Sequence, residues 1–331
     1  MKTFLLSLIS ARHSACVLCT LAGLILAGLV TPAVAALEPV AEFTGFKSAV
    51  QTLSYSPDQK FLAGGDESGK VIILDLATGT PVADLSGYEA TGSRVFWSPN
   101  SKIVYRLGVE GIVISQRDGN GSSKVKPGVQ SPRQLVLSPD GRILGVAGTG
   151  SVAFFSADTG QALATVEPHP NYRISYLSIS HDGKLAASTC EERVVRFIEL
   201  PSGNFGPSLE LEHKPLAMGF SPVAAELVVI DTSAILHRLA VPSGVDKTVS
   251  IPGGRVQDLA QSPDGKWIAV VGGIDIRLCP RDESKWRTHR LSNTVLGARS
   301  AAFSPDSKFL AVGEHDRRVR VWRVADFSVE P

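Results

Sequence analysis

The side chains of this sequence that could bind or transform a ligand are its histidines, cysteines and arginines. Six histidines follow residue 36, and none shows the H-x-x-x-H or H-E-x-x-H spacing of a zinc site on a helix. The sequence also lacks a G-x-S-x-G nucleophile motif and a phosphate-binding glycine loop. We therefore predict no metal site, no cofactor and no catalytic residue, and we interpret the chain as non-enzymatic.

A set of basic residues is more suggestive, because each member lies four to nine residues before one of seven regularly spaced serines. The set is Lys47, Arg94, Arg133, Arg173, Lys214, Arg255 and Arg299. Arginine forks bind carboxylates and phosphates through two hydrogen bonds at once. We therefore take five arginines as candidate partner-binding residues: Arg94, Arg133, Arg299, Arg173 and Arg255.

The seven serines mark a repeat that fills residues 37–331. Four copies read Ser-Pro-Asp, and weaker copies begin at Ser98, Ser180 and Ser221. The serines are Ser56, Ser98, Ser138, Ser180, Ser221, Ser262 and Ser304, spaced 42, 40, 42, 41, 41 and 42 residues apart. A repeat of this regularity leaves no room for a second domain after residue 36.

Each repeat contains the signals of four strands and no helical stretch. Residues one and three positions before the serine are apolar in nearly every copy, as in Tyr55 and Leu53, which is the period-two pattern of a strand with one buried face. Ser-Pro-Asp-Gly then forms a tight turn. In the first repeat, the second to fourth strands are predicted at Lys60–Ala63, Val71–Leu74 and Pro81–Leu85. Four antiparallel strands per repeat of about 42 residues predict an all-β fold, a seven-bladed β-propeller.

Over its whole repeat region the sequence resembles the WD-repeat β-propeller family. The resemblance rests on the Ser-Pro-Asp-Gly turn, on the apolar positions before it, and on the third strand, where Asp316–Trp322 is close to the family's Asp-Gly-Thr-x-x-x-Trp ending. No repeat has the Trp-Asp pair itself, and the family's Gly-His is replaced, for example by Gly45-Phe46. The resemblance implies a rigid scaffold for protein interactions.

The seventh repeat lacks a fourth strand before the chain ends. Residues 39–46 (PVAEFTGF) match residues 81–88 (PVADLSGY), which include the fourth strand of the first repeat. An open propeller would expose an unpaired strand edge. We therefore predict that Pro39–Thr44 completes the last blade and closes the ring.

In a propeller of this type, the loops before the first strands lie on the top face, near the central channel. The seven bases would then form an inner basic ring. The turns between second and third strands lie on the same face, further out, and would form an acidic rim of Asp66, Glu67, Glu110, Glu191, Glu192, Asp231, Glu314 and Asp316. One interpretation is a mouth that selects an anionic partner segment. The other is that each base pairs with a neighbouring acid.

The first 36 residues form a separate segment. They contain Lys2 and Arg12, an apolar run over Val17–Val30, and small residues around Ala35, which are the parts of a secretory signal peptide. An uncleaved membrane anchor is the alternative, although the run is shorter than the ~20 residues of a membrane span. We predict residues 1–36 to be the signal and residues 37–331 to be the propeller. The protein would then be exported, to the periplasm or as a secreted protein, without stable membrane insertion after cleavage.

Net charge limits the classes of partner, and the positions of the cysteines limit the possible disulfides. The 33 basic and 32 acidic residues leave a net charge of +1, so we expect no nucleic-acid binding. Cys190 and Cys279 lie in the fourth and sixth repeats, too far apart for a disulfide. The sequence thus predicts a monomeric, non-catalytic scaffold that binds a protein or peptide through its top face, where the basic residues would suit an acidic partner. A propeller enzyme of lactonase or hydrolase type, with its site at the channel mouth, is the alternative.

Overall fold

The structure is a computed structural model that describes residues 37–85, 94–108, 111–241, 243–244, 246–282, 285–291 and 297–327. The chain divides into two units, Met1–Ala36 and Leu37–Pro331. The first unit lies outside the described residues, and the signal peptide there stays a prediction. Among the described residues, no helix is long and apolar enough to cross a membrane.

The second unit contains seven antiparallel sheets of four strands, arranged as the blades of a ring. The first strand in the chain is β1 (Ala41–Phe43). Blade 1 comprises β2 (Val50–Tyr55), β3 (Phe61–Asp66), β4 (Val71–Asp75) and β5 (Pro81–Asp84). Blade 2 comprises β6 (Val95–Trp97), β7 (Ile103–Gly108), β8 (Gly111–Gln116) and β9 (Ser122–Val125). Blade 3 comprises β10 (Gln130–Leu137), β11 (Ile143–Thr149), β12 (Val152–Ser156) and β13 (Ala162–Val166). Blade 4 comprises β14 (Tyr176–Ile179), β15 (Leu185–Thr189), β16 (Val194–Glu199) and β17 (Phe205–Glu210).

The remaining blades follow the same plan. Blade 5 comprises β18 (Pro215–Phe220), β19 (Glu226–Asp231), β20 (Ile235–Ala240) and β21 (Asp246–Ser250). Blade 6 comprises β22 (Asp258–Gln261), β23 (Trp267–Gly272), β24 (Asp275–Pro280) and β25 (Arg287–Arg290). Blade 7 contains β26 (Ala298–Phe303), β27 (Phe309–Glu314) and β28 (Val319–Arg323), and a short 3-10 helix at Val324–Asp326 follows. The predicted all-β, seven-bladed fold is confirmed.

The recurring serine builds the turn between the first two strands of a blade. In blade 1, the Ser56 hydroxyl donates to the Asp58 carboxylate at 2.6 Å and accepts from the Phe61 N–H at 2.9 Å. The same pair of bonds recurs around Ser98, Ser138, Ser180, Ser262 and Ser304. One short polar motif thus closes the same hairpin in six blades, and this explains its regular spacing.

The core lies between the blades. Seven clusters of buried apolar side chains each join two neighbouring blades, so each sheet is covered on both faces. The apolar positions before the serines belong to these clusters, as Leu135, Leu177 and Val95 illustrate, each at most 4% exposed. Burial of these faces provides the main favourable term for assembling the ring.

The chain closes the ring as predicted. Strand β1 pairs antiparallel with β28, with Ala41 opposite Val321 and Phe43 opposite Val319. The paired strand is shorter than the predicted Pro39–Thr44. Blade 7 therefore takes its outer strand from the beginning of the repeat region and its three inner strands from the end.

Candidate functional site

The top face of the ring is formed by two kinds of loop in each blade: the loop before the first strand and the turn between the second and third strands. Backbone hydrogen bonds join these loops directly. Glu67 N–H donates to the Ala49 carbonyl in blade 1 at 3.0 Å, and His315 N–H donates to the Gly297 carbonyl in blade 7 at 2.9 Å. The top face is therefore a rigid platform on which side chains take fixed positions.

Three of the five candidate arginines extend into solvent. Arg133, Arg173 and Arg255 are exposed, as are the bases Lys47 and Lys214. Among the described residues, none of these five side chains forms an ion pair within 4.0 Å. Their charged groups therefore face solvent.

The other two candidates, Arg94 and Arg299, are half-buried and interact with residues of other blades. The charge of Arg94 acts on Tyr176 in blade 4 and on Asp258 in blade 6. Burial raises the pKa of the Asp258 carboxyl, and the charge of Arg94 and two backbone N–H donors oppose this rise. Arg299 donates to the Gln257 side chain at 3.2 Å. These two arginines therefore serve contacts within the ring.

The predicted acidic rim is wrong for three of its members. Asp66, Asp231 and Glu314 are at most 1% exposed, so they face the protein interior and not solvent. Glu67, Glu191 and Glu192 are exposed, while Asp316 is half-buried. Glu110 lies outside the described residues. The correction has a physical reason: Asp66 and Asp231 accept hydrogen bonds from backbone N–H groups of the top-face loops, and Glu314 pairs with Arg320 of the third strand.

We call the place where the loop before the first strand meets the turn between the second and third strands the corner of a blade. Each of the three buried acids lies at such a corner, ten residues after the serine of its repeat. Asp66 accepts from the backbone N–H groups of Lys47 and Ser48 at 2.7 and 3.1 Å and from those of Ser68 and Lys70 at 2.9 and 3.0 Å. Burial opposes ionisation, but these bonds and the Ser68 hydroxyl hold the pKa of Asp66 below its usual value. The carboxylate ties the loop to the turn.

The acids of blades 5 and 7 use a cation of the third strand. Asp231 accepts from the N–H groups of Ser233 and Ile235 and lies 3.1 Å from His237 Nε2, while Asp246 lies 2.7 Å from His237 Nδ1. Burial tends to lower the pKa of His237, but its bonds to Asp246 and Asp231 raise the pKa above the usual value.

In blade 7 the cation is an arginine, which stays charged at all ordinary pH values. Arg320 Nη1 lies 2.6 Å from Glu314 Oε2. Burial raises the pKa of Glu314, and the bond and charge of Arg320 oppose this rise.

Blade 4 has a cysteine at the corresponding position. Cys190 Sγ lies 3.2 Å from His169 Nδ1 and 3.9 Å from Glu192 Oε2, and the Glu192 N–H donates to the same sulfur at 3.4 Å. His169 Nε2 lies 3.2 Å from the Ser188 hydroxyl. Cys190 and His169 are at most 1% exposed, and burial raises the pKa of the thiol and lowers that of the imidazole.

Sequence reasoning missed this cluster, because His169 was assessed only by its spacing from other histidines. The ligating atoms of His169, Cys190 and Glu192 lie within 4.8 Å of one another, and these three side chains could hold a metal ion. A usable signal was present, since Cys190 occupies the repeat position of Asp66, Asp231 and Glu314. Neither Cys190 nor Cys279 forms a disulfide.

The architecture agrees with a comparison to known families. The family WD domain, G-beta repeat, matches residues 37–75 and 284–323. These segments contain β1 with the first three strands of blade 1, and β25 with the three strands of blade 7. Two segments of the seven-bladed propeller are thus similar to the WD-repeat family.

A curated relative shares part of this propeller. The chain is 21% identical over 192 residues to the Periodic tryptophan protein 2 homolog of Caenorhabditis elegans. The match covers 56% of this chain and only 21% of that protein. The chain thus corresponds to about a fifth of that relative's length, so the relative's activity and partners do not follow for this propeller.

Proposed function

We propose that this WD-repeat propeller is an exported, monomeric, non-catalytic scaffold whose top face binds an acidic segment of a protein partner. WD-repeat propellers are typical protein-interaction scaffolds and are generally non-catalytic. The observation that carries the proposal for this chain is the set of exposed arginines Arg133, Arg173 and Arg255, which have no ion pair among the described residues. Three of the acids expected to neutralise them are buried instead.

The physical argument concerns what these charges contribute. A basic side chain without a partner adds little to folding stability, since exposed ion pairs contribute only about 0–1 kcal/mol. Several such charges on a rigid face raise the local concentration of an anionic ligand and speed its association. Arginine adds two-point recognition of carboxylates. An acidic peptide segment therefore matches the surface in charge and in hydrogen-bonding geometry.

The alternative enzyme of lactonase or hydrolase type would require acids that converge at the channel mouth. In the part of the chain that the structure describes, the one group of three metal-ligating side chains is His169, Cys190 and Glu192 in blade 4. The acid identified near Arg94 is Asp258, which is bonded to the backbone N–H groups of Leu259 and Ala301. This arrangement favours a scaffold over such an enzyme.

The test uses a fluorescent polyglutamate peptide as the probe, with a polylysine peptide of equal length for comparison. The triple variant Arg133→Gln, Arg173→Gln, Arg255→Gln should bind polyglutamate at least 10-fold more weakly at low salt and melt at an unchanged temperature. The difference should shrink at high salt, because screening weakens exposed charges.

A matched control removes three positive charges from the opposite face, where the recurring serine turns lie. Lys60, Lys102 and Lys184 are exposed there, so their triple replacement by Gln leaves the top face intact. This control should bind polyglutamate as the wild type does. Equal losses in the two triple variants would reduce the effect to bulk charge and contradict a top-face site.

Export is proposed on the basis of residues 1–36 alone. Expression of the full chain in a bacterial host, followed by fractionation and N-terminal sequencing, should yield a periplasmic protein that begins after Ala35 or Ala36. A cytoplasmic protein that begins at Met1 would contradict export, and a membrane-bound protein that begins there would establish the anchor.

A further inference from the structure

We propose that His169, Cys190 and Glu192 form a zinc site at the top corner of blade 4. The three side chains come from two separate segments, the loop before β14 and the turn after β15. Their ligating atoms, His169 Nδ1, Cys190 Sγ and a Glu192 carboxylate oxygen, lie within 4.8 Å of one another. Two protein segments of the top face would thus share one metal ion.

The separations fit a tetrahedral ion. Zinc bonds of about 2.3 Å to sulfur and about 2.0 Å to nitrogen or oxygen place two ligands about 3.5 Å apart. The sulfur of Cys190 is 3.2 Å from His169 Nδ1 and 3.9 Å from Glu192 Oε2. Both values lie within about 0.4 Å of that separation, so small side-chain movements suffice.

The chemical character of the ligands points to zinc. Thiolate and imidazole suit zinc, whereas Mg²⁺ and Ca²⁺ prefer oxygen ligands alone. The Cys190 thiol must lose its proton to bind, so metal uptake releases a proton. Three protein ligands leave a fourth position, which water or a partner side chain can fill. Because Glu192 is exposed, the set is accessible from solvent.

Neighbouring residues hold the ligands in place. The Ser188 hydroxyl lies 3.2 Å from His169 Nε2. In the tautomer with its proton on Nε2, the ring donates to this hydroxyl, and Nδ1 is then free to bind metal. On the solvent side, the Tyr172 hydroxyl bonds to Glu192, and this bond raises the pKa of Tyr172. Such outer contacts are typical of metal sites, where they fix the tautomer and orientation of the ligands.

One nearby charge opposes a cation. Arg196 stands at the repeat position of Arg320 and His237, and its charge acts on both Cys190 and His169. The charges of the Cys190 thiolate and the Glu192 carboxylate offset this cation. The proposal therefore predicts that Arg196→Gln binds zinc more tightly than the wild type.

The test uses the full chain, stripped of metal with a chelator and then titrated with Co²⁺ as a spectroscopic substitute for zinc. We expect one Co²⁺ per chain, a sulfur-to-cobalt charge-transfer band in the near ultraviolet, and displacement of the cobalt by one equivalent of Zn²⁺. Zinc affinity is then measured by competition with a chromophoric chelator. A wild-type chain with no sulfur-to-cobalt band would overturn the proposal.

Variants separate the site from a structural effect. Cys190→Ser should abolish the charge-transfer band, whereas the matched control Cys279→Ser, at a buried cysteine in blade 6, should keep it. Ser188→Ala should weaken zinc binding about 10-fold. Because Cys190→Ser removes a buried group, Glu192→Gln provides an exposed alternative that should fold normally and still bind zinc more weakly. Wild-type zinc affinity in both Cys190→Ser and Glu192→Gln would also refute the site.

Discussion

Blades 1 and 6 fix the same corner of the top face in different ways. In blade 1, Asp66 gathers four backbone N–H groups of its own blade around one buried carboxylate. In blade 6 the corresponding residue is Gly272, and a Cβ there would lie 2.2 Å from the Arg255 carbonyl oxygen. The loop backbone therefore occupies the space that a side chain would need.

The difference also determines which parts of the ring are connected. The carboxylate corner joins a turn to the loop of the same blade. Beside the glycine corners, backbone bridges reach the next blade, from Gly273 to Ala298 and from Thr149 to Arg173. The carboxylate of blade 1 thus binds groups of its own blade, while the glycine corners of blades 3 and 6 lie beside backbone links to the next blade. A repeat can keep one shape while it exchanges side-chain hydrogen bonds for backbone contacts.

The largest effect is expected at the carboxylate corner. Asp66→Ala removes the carboxylate that accepts four backbone N–H groups, of which the Ser68 N–H keeps the Ser48 hydroxyl as a second acceptor. The free energy of unfolding should fall by about 3 kcal/mol. Chemical denaturation measures the change. Glu67→Ala, at the exposed neighbour, should stay within about 0.5 kcal/mol of the wild type. A similar loss in both variants would show that the corner bonds are not the cause.

A smaller loss is expected at the glycine corner. Gly272→Ala forces the Arg255 carbonyl away, and overpacking of this kind typically costs about 2 kcal/mol. Gly254→Ala is the matched control in the same loop, because no heavy atom lies within 4 Å of a Cβ built there. Thermal and chemical unfolding of the two variants test the contrast. Wild-type stability of Gly272→Ala would mean that the close approach is not required.

A pH dependence should distinguish blade 5 from blade 7. The pKa of His237 is raised in the folded state, so its contribution is complete below the unfolded value of about 6.5 and is lost as the pH rises through the folded value. His237→Asn should remove about 1 kcal/mol near pH 6 and less at higher pH. A difference from wild type that stays constant across this range would contradict the assignment. His213→Asn controls for a half-buried histidine.

The smallest effect is expected where blade 4 is made to resemble the carboxylate blades. Cys190→Asp places an acid at the repeat position of Glu314, where it could pair with Arg196 as Glu314 pairs with Arg320 in blade 7. In the metal-free chain, the new charge pair offsets part of the cost of burying a carboxylate. We expect the free energy of unfolding to change by less than about 1 kcal/mol. A much larger loss would mean that the blade 4 corner depends on the thiol.

The sequence was sufficient to predict the ring but not its corners. The serine period placed all seven blades, because the serine turn is local and repeats the same bonds. The closing strand followed from an internal match. The corner could not be predicted from residue type alone: Asp66 and Glu67 are both acids, yet one is buried and the other exposed. Whether an acid is buried or exposed depends on which side of the turn it occupies. Tertiary contacts determine that side, and they cannot be read from residue type.

The same limit applies to the candidate binding residues. Arg133 and Arg299 both stand five residues before their serine, yet Arg133 is exposed while Arg299 donates to Gln257 of the neighbouring blade. The sequence window was the same, and only the surroundings differ. Residue pattern therefore indicated a basic face, whereas the structure separates the arginines that a partner can reach from those that serve the ring.

The pairing of β1 with β28 also makes the position of the chain break arbitrary. Because Ala41 lies opposite Val321, a short linker could join the two ends of the propeller in one hairpin. New termini could then be opened in a connection between other blades, such as at the exposed Lys126 between β9 and β10. Circularly permuted chains of this kind should fold to the same ring, since each blade contacts only its neighbours. The seam in blade 7 would then move without altering any interface between blades.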